Sequence, residues 1–365
     1  MEIYLPIIQV KIDILFILFL SFGVGVLSGL FGVGGGFLMT PFLIFLGIPP
    51  VYAVPNEINN ILATSVSGSL THWFKNTLDY RMGLMIIIGG VIGTILGITT
   101  FKFFKEIGKL SLIISLSYMY LLAIIGTLML LEGASEIDKA RKKIVQKKKL
   151  HTHYWIHGLP LKLRFPKSRL YESIFTPIIL GIVTGFVAAL MGVGGAFLLV
   201  PAMIYLIGMP IKYIPGTSLF VTIFISAIVT VLHAFSYGSI DLVLVITLIT
   251  GSIIGVQIGQ KIGQYLDSSH LKTLFAMLLC SVAIAIAYDT FFSNEKNQQI
   301  KNEIVNIENL NFFSKFIIRF SDDAPLLYGS FAIILAIVLG ILGATIRQFF
   351  SKYKYKFILG KKTGT

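Results

Sequence analysis

The sequence predicts an all-α polytopic membrane protein made of two homologous helical repeats in inverted orientation. Each repeat carries a short half-helix bounded by Gly and Pro, and one extra span follows at the C-terminus. Three observations carry this expectation: long apolar runs nearly free of charge, a glycine-dense element that occurs twice, and basic clusters between and after the runs.

Apolar residues make up 55% of the chain and charged residues 13%, with a mean hydropathy of +0.86. Soluble globular chains carry about a quarter charged residues, so this composition suits lipid. The runs Ile14–Leu30, Leu84–Ile98, Leu110–Leu131, Ile174–Leu190, Leu242–Ile258, Leu271–Ala287 and Leu326–Leu342 are apolar almost throughout. Each approaches the ~20 residues that carry a helix across the hydrocarbon core. A membrane barrel would show alternating segments of about ten residues, and these runs do not alternate.

The net charge of +13 is unevenly spread. Eleven of the 30 basic residues lie between Lys139 and Arg169, and six more (Arg347, Lys352, Lys354, Lys356, Lys361 and Lys362) follow the last run. Clusters beside spans are what the positive-inside rule expects of cytoplasmic segments, with anionic lipid as an additional contact. The distribution argues against nucleic acid as a partner. The one cysteine, Cys280, sits in an apolar run, so it makes no internal disulfide and no thiolate metal cluster. The first run lacks a small-residue cleavage pattern and reads as a retained span.

The duplicated element is GVGGGFLMTP at 32–41 and GVGGAFLLVP at 192–201, with seven of ten positions the same. At an offset of 161, Gly47, Pro49, Tyr52 and His72 meet Gly208, Pro210, Tyr213 and His233; at 162, Asp79, Gly89, Gly93 and Gly97 meet Asp241, Gly251, Gly255 and Gly259. Between Pro55 and His72 the register slips. The economical division is a first transmembrane repeat at 10–131, a basic cytoplasmic linker at 132–172 and a second repeat at 173–290. A polar loop at 291–325, a final span at 326–346 and a basic cytoplasmic tail at 347–365 follow.

Within each repeat one apolar segment, 37–47 or 197–207, is too short to cross. It is preceded by the glycines and ended by Gly47-Ile48-Pro49-Pro50 or Gly208-Met209-Pro210. Paired, interrupted short segments in two halves are the best sequence pointer to a transporter's binding site. If both basic segments are cytoplasmic and one span lies beyond the second half, each half crosses an odd number of times and the halves are inverted. Lys102, Lys105 and Lys109 then fall outside, against the charge rule.

Irregular backbone at membrane depth is tolerated where protein or a water cavity satisfies it. Glycines allow positive φ and a close approach to a ligand, and the helix that follows offers N–H groups and a positive dipole end to an anion. Gly34, Gly35, Gly36, Gly194 and Gly195 are therefore candidate substrate ligands, each half giving one arm. Tight helix packing is the alternative reading, and it is preferred for the ladders spaced by four residues. Polar residues within spans add Asn56, Asn60, Thr64, Thr217 and Ser218 as hydroxyl and amide donors, with interhelical hydrogen bonding as the alternative. His72 and His233 are candidates for proton coupling or simply interfacial histidines. Asp79 and Asp241 read as loop or helix-cap residues. His151, His153 and His157 have no acidic or thiol neighbour, so no metal site is expected, and no phosphate-binding G-x-x-x-x-G-K-[ST] loop occurs. No cofactor is expected.

At these residues the chain resembles the TauE/SafE sulfite-exporter family, also called TSUP, over roughly 12–290. The resemblance rests on the duplicated G-x-G-G-[GA]-F-x-x-x-P element, the downstream histidine and aspartate, and the glycine-spaced helix after them. It implies a bacterial inner-membrane, multi-pass transporter of a small anion, often sulfur-containing, such as sulfite, a sulfonate or sulfoacetate. One departure is NEIN in the first half where the second has the family form GTSL, which sets acidic Glu57 near the supposed anion site. The expected function is a secondary carrier working by alternating access, with protons as a candidate coupling ion. A passive anion channel, a membrane enzyme or an assembly factor remain as alternatives, with no enzyme activity expected. A homo-oligomer is compatible with the sequence but not read from it.

Overall fold

The structure is a computed structural model that describes residues 2–31, 38–141, 160–210, 212–263, 268–292 and 312–360. A hairpin of β1 (Glu2–Leu5) and β2 (Val10–Asp13) leads into α1 (Ile14–Phe31), α2 (Met39–Phe45), α3 (Pro50–Phe74), α4 (Tyr80–Glu106) and α5 (Leu110–Arg141). A second hairpin of β3 (Lys162–Phe165) and β4 (Leu170–Ser173) leads into α6 (Phe175–Met191), α7 (Ala196–Tyr205), α8 (Ile214–Tyr237), α9 (Leu242–Gly263) and α10 (Ser268–Phe292). α11 (Phe312–Asp323) and α12 (Pro325–Gly360) follow. The protein is all-α apart from the two small hairpins. Among the described residues six helices, α4, α5, α8, α9, α10 and α12, are long and apolar enough to cross a membrane. α2 and α7, with 7 and 10 residues, are not; at about 1.5 Å per residue they reach at most halfway.

The hairpins are absent from the sequence reading, and their turns are alike. Pro6 and Pro166 open them, and Gln9 (φ 61°) and Arg169 (φ 54°) close them in the left-handed region, 160 positions apart like the glycine elements. α12 also runs on to Gly360, beyond the expected span at 326–346.

Helices pack across the halves. α1 lies along α9, α4 along α6, α3 along α8 and α5 along α10. Small residues make the first two seams. A Cβ on Gly89 or Gly93 of α4 would strike the carbonyl oxygens of Ile178 or Ile182 of α6; one on Gly255 or Gly259 of α9 would strike those of Phe22 or Val26 of α1. Backbone meets backbone there, as small residues permit in lipid. α3 and α8, which carry the polar residues, are inside: every residue from Asn56 to Ser69 is buried. Large apolar side chains such as Leu84, Ile88, Ile95, Tyr120, Ile124, Leu128, Met277, Ile284 and Ile334 instead point outward from α4, α5, α10 and α12. This belt is the lipid-facing surface of a multi-pass protein.

Hydrogen bonds fix which ends share a face. On the first face, Ile7 N donates to Asp241 Oδ2 (2.9 Å), Asn56 Nδ2 to Ser239 O (3.1 Å), Tyr328 Oη to Ile240 O (2.9 Å) and Ser321 Oγ to Gly238 O (3.4 Å). The hairpin β1–β2, the heads of α3, α9 and α12, α11 and the tail of α8 therefore lie together. On the second face, Ser168 N and Oγ donate to Asp79 Oδ2 (3.1 and 2.7 Å), Lys167 Nζ bonds Asn76 Oδ1, and Asp79 N donates to Thr217 Oγ1 (3.0 Å). That face holds the hairpin β3–β4, the tail of α3 and the heads of α4, α6 and α8. α3 and α8 consequently run in opposite directions. Gln257 Nε2 donates to Gly343 O (2.5 Å) near the tail of α9, so α12 descends toward the second face.

Candidate functional site

The second glycine element forms the sharp turn between α6 and α7. Gly192, Gly194 and Gly195 have φ of 78°, 69° and 79°, which side chains with a Cβ rarely adopt. Gly195 precedes α7 without any side chain capping the helix, so the N–H groups of its first turn are not claimed by a cap. The turn lies against the other half. A Cβ on Gly192 would come within 3.0 Å of Val54 Cα and 3.2 Å of Thr40 Oγ1, and one on Gly194 would overlap Ile61 Cγ2. Val54, Glu57, Ile58 and Ile61 share one face of α3 at helical spacing, and this face receives the turn. Tyr118 Oη of α5 donates to Met191 O (2.7 Å) and fixes the turn's entry. Thr40 opens α2, so the second turn sits beside the start of the first half's short helix. Gly34, Gly35 and Gly36 lie outside the described residues. Gly47 (φ 85°) and Gly208 (φ 68°) end the two short segments in left-handed turns.

Beside the turn is a buried polar chain. Asn60 Nδ2 reaches Glu57 Oε1 and Oε2 (3.2 Å each) and Ser252 Oγ of α9 (3.0 Å), and Ser252 Oγ donates to Ser21 O of α1 (3.3 Å). Thr64 Oγ1 donates to Asn60 O (3.0 Å) and Ile61 O (3.1 Å). Asn60 Oδ1 is buried with no partner among the described residues, which is uncommon for buried polar atoms. A small, partly open pocket, lined by Pro41, Ile44, Phe45, Ser115, Tyr118 and Asp289 among others, lies on the other side of Tyr118 between α2, α5 and α10.

Of the described residues expected at the site, Asn60, Thr64, Gly194 and Gly195 gather around the middle of α3. The other described ones, Asn56, Thr217, Ser218, His72 and His233, are elsewhere. Asn56 is at the first face, where its Oδ1 accepts from Asp241 N (2.7 Å) and its Nδ2 donates to Tyr52 O (2.7 Å). Thr217 is at the second face, accepting from Asp79 N, with Ser218 Oγ donating to Pro215 O (3.1 Å). His72 pairs with Thr77 Oγ1 (2.9 Å) near the second face. His233 is wholly buried toward the first, its Nε2 on Ala189 O (3.0 Å) and its ring edge-on to Phe101 at 4.7 Å. The two histidines thus sit at opposite ends of the antiparallel pair. Asp79 and Asp241 do cap helices: Asp79 Oδ1 accepts from Met82 N (3.2 Å), and Asp241 Oδ1 from Val243 N (3.0 Å) and Leu244 N (3.3 Å). His151, His153 and His157 lie outside the described residues. The sequence reading missed Tyr118, Thr40 and Ser252. Two phenols in the run 110–131, of which Tyr118 is buried and Tyr120 exposed, and a serine inside a glycine ladder were the signals present.

The model of the family "Sulfite exporter TauE/SafE" matches residues 17–286, from α1 to α10. The chain is 28% identical over 283 residues to the probable membrane transporter protein YunE of Bacillus subtilis (strain 168), covering 74% of this chain and 95% of that protein. It is 28% identical over 264 residues to YjnA of the same organism, also a probable membrane transporter protein, covering 72% and 95%. A probable membrane transporter protein of Xylella fastidiosa (strain 9a5c) is 25% identical over 274 residues, covering 74% and 93%. No solved structure matches. With a glycine turn and uncapped short helix inside a bundle of spans, and a family match over most of its length, the chain belongs to the sulfite exporter TauE/SafE family of membrane proteins.

Proposed function

We propose that this protein is a secondary carrier of a small anion, sulfur-containing and of the sulfite, sulfonate or sulfoacetate type, that works by alternating access. One observation carries the reading: the left-handed turn Gly192–Gly195 aims the uncapped head of α7 into the bundle, against α2 and α3 of the other half. Backbone N–H groups and a helix dipole there suit an oxyanion held without an arginine, and weakly enough to leave. The matching glycine element of the sequence, Gly34, Gly35 and Gly36, would supply the second arm in this reading. The family and the names of its relatives support transport as the activity and a sulfur oxyanion as the cargo.

The two halves, 10–131 and 173–290, are inverted repeats in this proposal. Their antiparallel α3 and α8, and the crossed pairing of α1 with α9 and α4 with α6, support it. The second face, with the basic linker and tail, is cytoplasmic by the charge rule, and the membrane is the bacterial inner membrane.

The test is anion exchange in proteoliposomes with a panel of sulfite, methanesulfonate, sulfoacetate and a carboxylate. Exchange of at least one sulfur anion is expected. Gly194→Val, which forces a side chain into Ile61 at a positive φ, should abolish exchange while insertion and fluorescence-detected elution stay normal. Flux that never saturates and shows no counterflow would mean a channel; no flux of any anion by the wild type would overturn the transport reading.

A further inference from the structure

Glu57 is the one acidic side chain on the face of α3 that receives the glycine turn, and the proposed carrier assigns it no task. It is wholly buried, and its hydrogen-bond partner is a single amide nitrogen, Asn60 Nδ2, split between both carboxylate oxygens at 3.2 Å. Among the described residues no lysine or arginine answers it. On the helices packed against α3, α2 and α6 carry no titratable group. α9 has Asp241 at its head, committed to the first hairpin, and Lys261 near its tail at the opposite face. On α8, His233 is bonded to Ala189. On α12, Tyr328 is bonded to Ile240 and the basic residues start at Arg347. Tyr118 of α5 is the titratable group within electrostatic reach. A bare carboxylate in such a place is costly.

The neighbours suit two protonation states. With Glu57 ionised, Asn60 presents Nδ2 to it and leaves Oδ1 buried without a partner. Turning the Asn60 amide about its own bond exchanges O and N, which are alike in shape. Oδ1 then faces Glu57 and accepts an O–H, and the Ser252 hydroxyl, once rotated away from Ser21 O, donates to it as well. Each charge state of Glu57 therefore has a matching amide orientation. Electrostatics link this pair to the turn: an anion at the head of α7 is repelled by ionised Glu57 and tolerated by the neutral acid.

We propose that Glu57, with Asn60 and Ser252, is a proton-binding site that admits the anion when protonated, so that proton and anion move together. In each cycle an O–H bond forms on a Glu57 oxygen with a proton from water on one side. The same proton leaves to water on the other side after the anion has gone. This rests on the carrier reading, and it predicts a sign: anion binding is strongest at low pH and is lost as pH rises through the carboxyl's titration.

The test compares wild type with Glu57→Gln in methanesulfonate exchange, a probe whose own charge is constant, with sulfite in parallel. Wild-type exchange should fall by about tenfold per pH unit above the titration. Glu57→Gln, a permanent mimic of the neutral acid, should keep exchanging at high pH with a flat profile and lose accumulation driven by a proton gradient. A second measurement needs no transport: dicyclohexylcarbodiimide, which modifies protonated carboxyls in apolar surroundings, should label Glu57 in the purified wild type, less as pH rises. A Glu57→Gln profile that parallels the wild type, or labelling at Glu57 that is absent or indifferent to pH, overturns the proposal. Absence of exchange by the wild type for every anion would instead overturn the carrier reading beneath it.

Discussion

Asn56 and Thr217 do the same work at opposite faces. Each accepts the backbone N–H of an aspartate that caps a helix of the other half, Asp241 or Asp79. Removing such an acceptor leaves a buried donor unpaired, at a cost of about 1–3 kcal/mol. Asn56→Ala and Thr217→Val should therefore lower the melting temperature in detergent while half-saturation for the anion stays near that of the wild type. A raised half-saturation with unchanged melting would make them ligands instead. From the sequence these residues are indistinguishable from Asn60 and Thr64, because a polar side chain in an apolar run signals only that it must be satisfied. What satisfies it is a matter of tertiary contact: Asn56 meets a residue 185 positions away. Glu57 was visible as an oddity of the first half, but its lack of a basic partner was not.

The helical elements follow more directly from the chain. Five of the seven long apolar runs became helices long enough to cross, while those at 14–30 and 174–190 became the shorter apolar helices α1 and α6; Gly-Pro stops gave the short segments, since each depends on local composition. The glycines four apart on α4 and α9 were readable as packing surfaces for the same reason, although their partners, α6 and α1, were not. Gly93→Leu should wreck the α4–α6 seam, because its side chain meets the Ile182 backbone and not a side chain that can turn aside. Overpacking costs about 1–3 kcal/mol even where neighbours can yield. The expected readout is loss of the monodisperse peak on size exclusion, whereas Gly23→Leu, with open space around its Cβ, should elute normally. The hairpins escaped the sequence reading because four-residue strands of mixed polarity leave no hydropathy signal. The proline of each turn, at 6 and 166, was the mark to follow.

For the whole molecule, sidedness depends on contacts that no local pattern contains. The hydrogen bonds of the two aspartates gather β1–β2, α11 and the head of α12 on one face, and β3–β4 with the descending tail of α12 on the other. Parity of the basic clusters led to the same grouping, with Lys102 and Lys105 on the face opposite the linker: Lys105 Nζ stands 4.2 Å over the Tyr237 ring at the tail of α8. With Cys280 replaced by Ser, single cysteines at Asp322 and at Lys167 should react with an impermeant maleimide from opposite sides of oriented vesicles. Labelling of both from one side would contradict the arrangement.

The aspartate caps carry a consequence for how the chain is put together. Neither half closes on itself: the leading hairpin of each is held by a carboxylate that belongs to the other, and its first long helix is sheathed by the other's fourth. Each half is therefore unfinished alone, and whatever motion opens one side must strain a clasp owned by its counterpart. Two interlocked pieces of this kind are related as the subunits of a dimer would be, each completing the fold of the other.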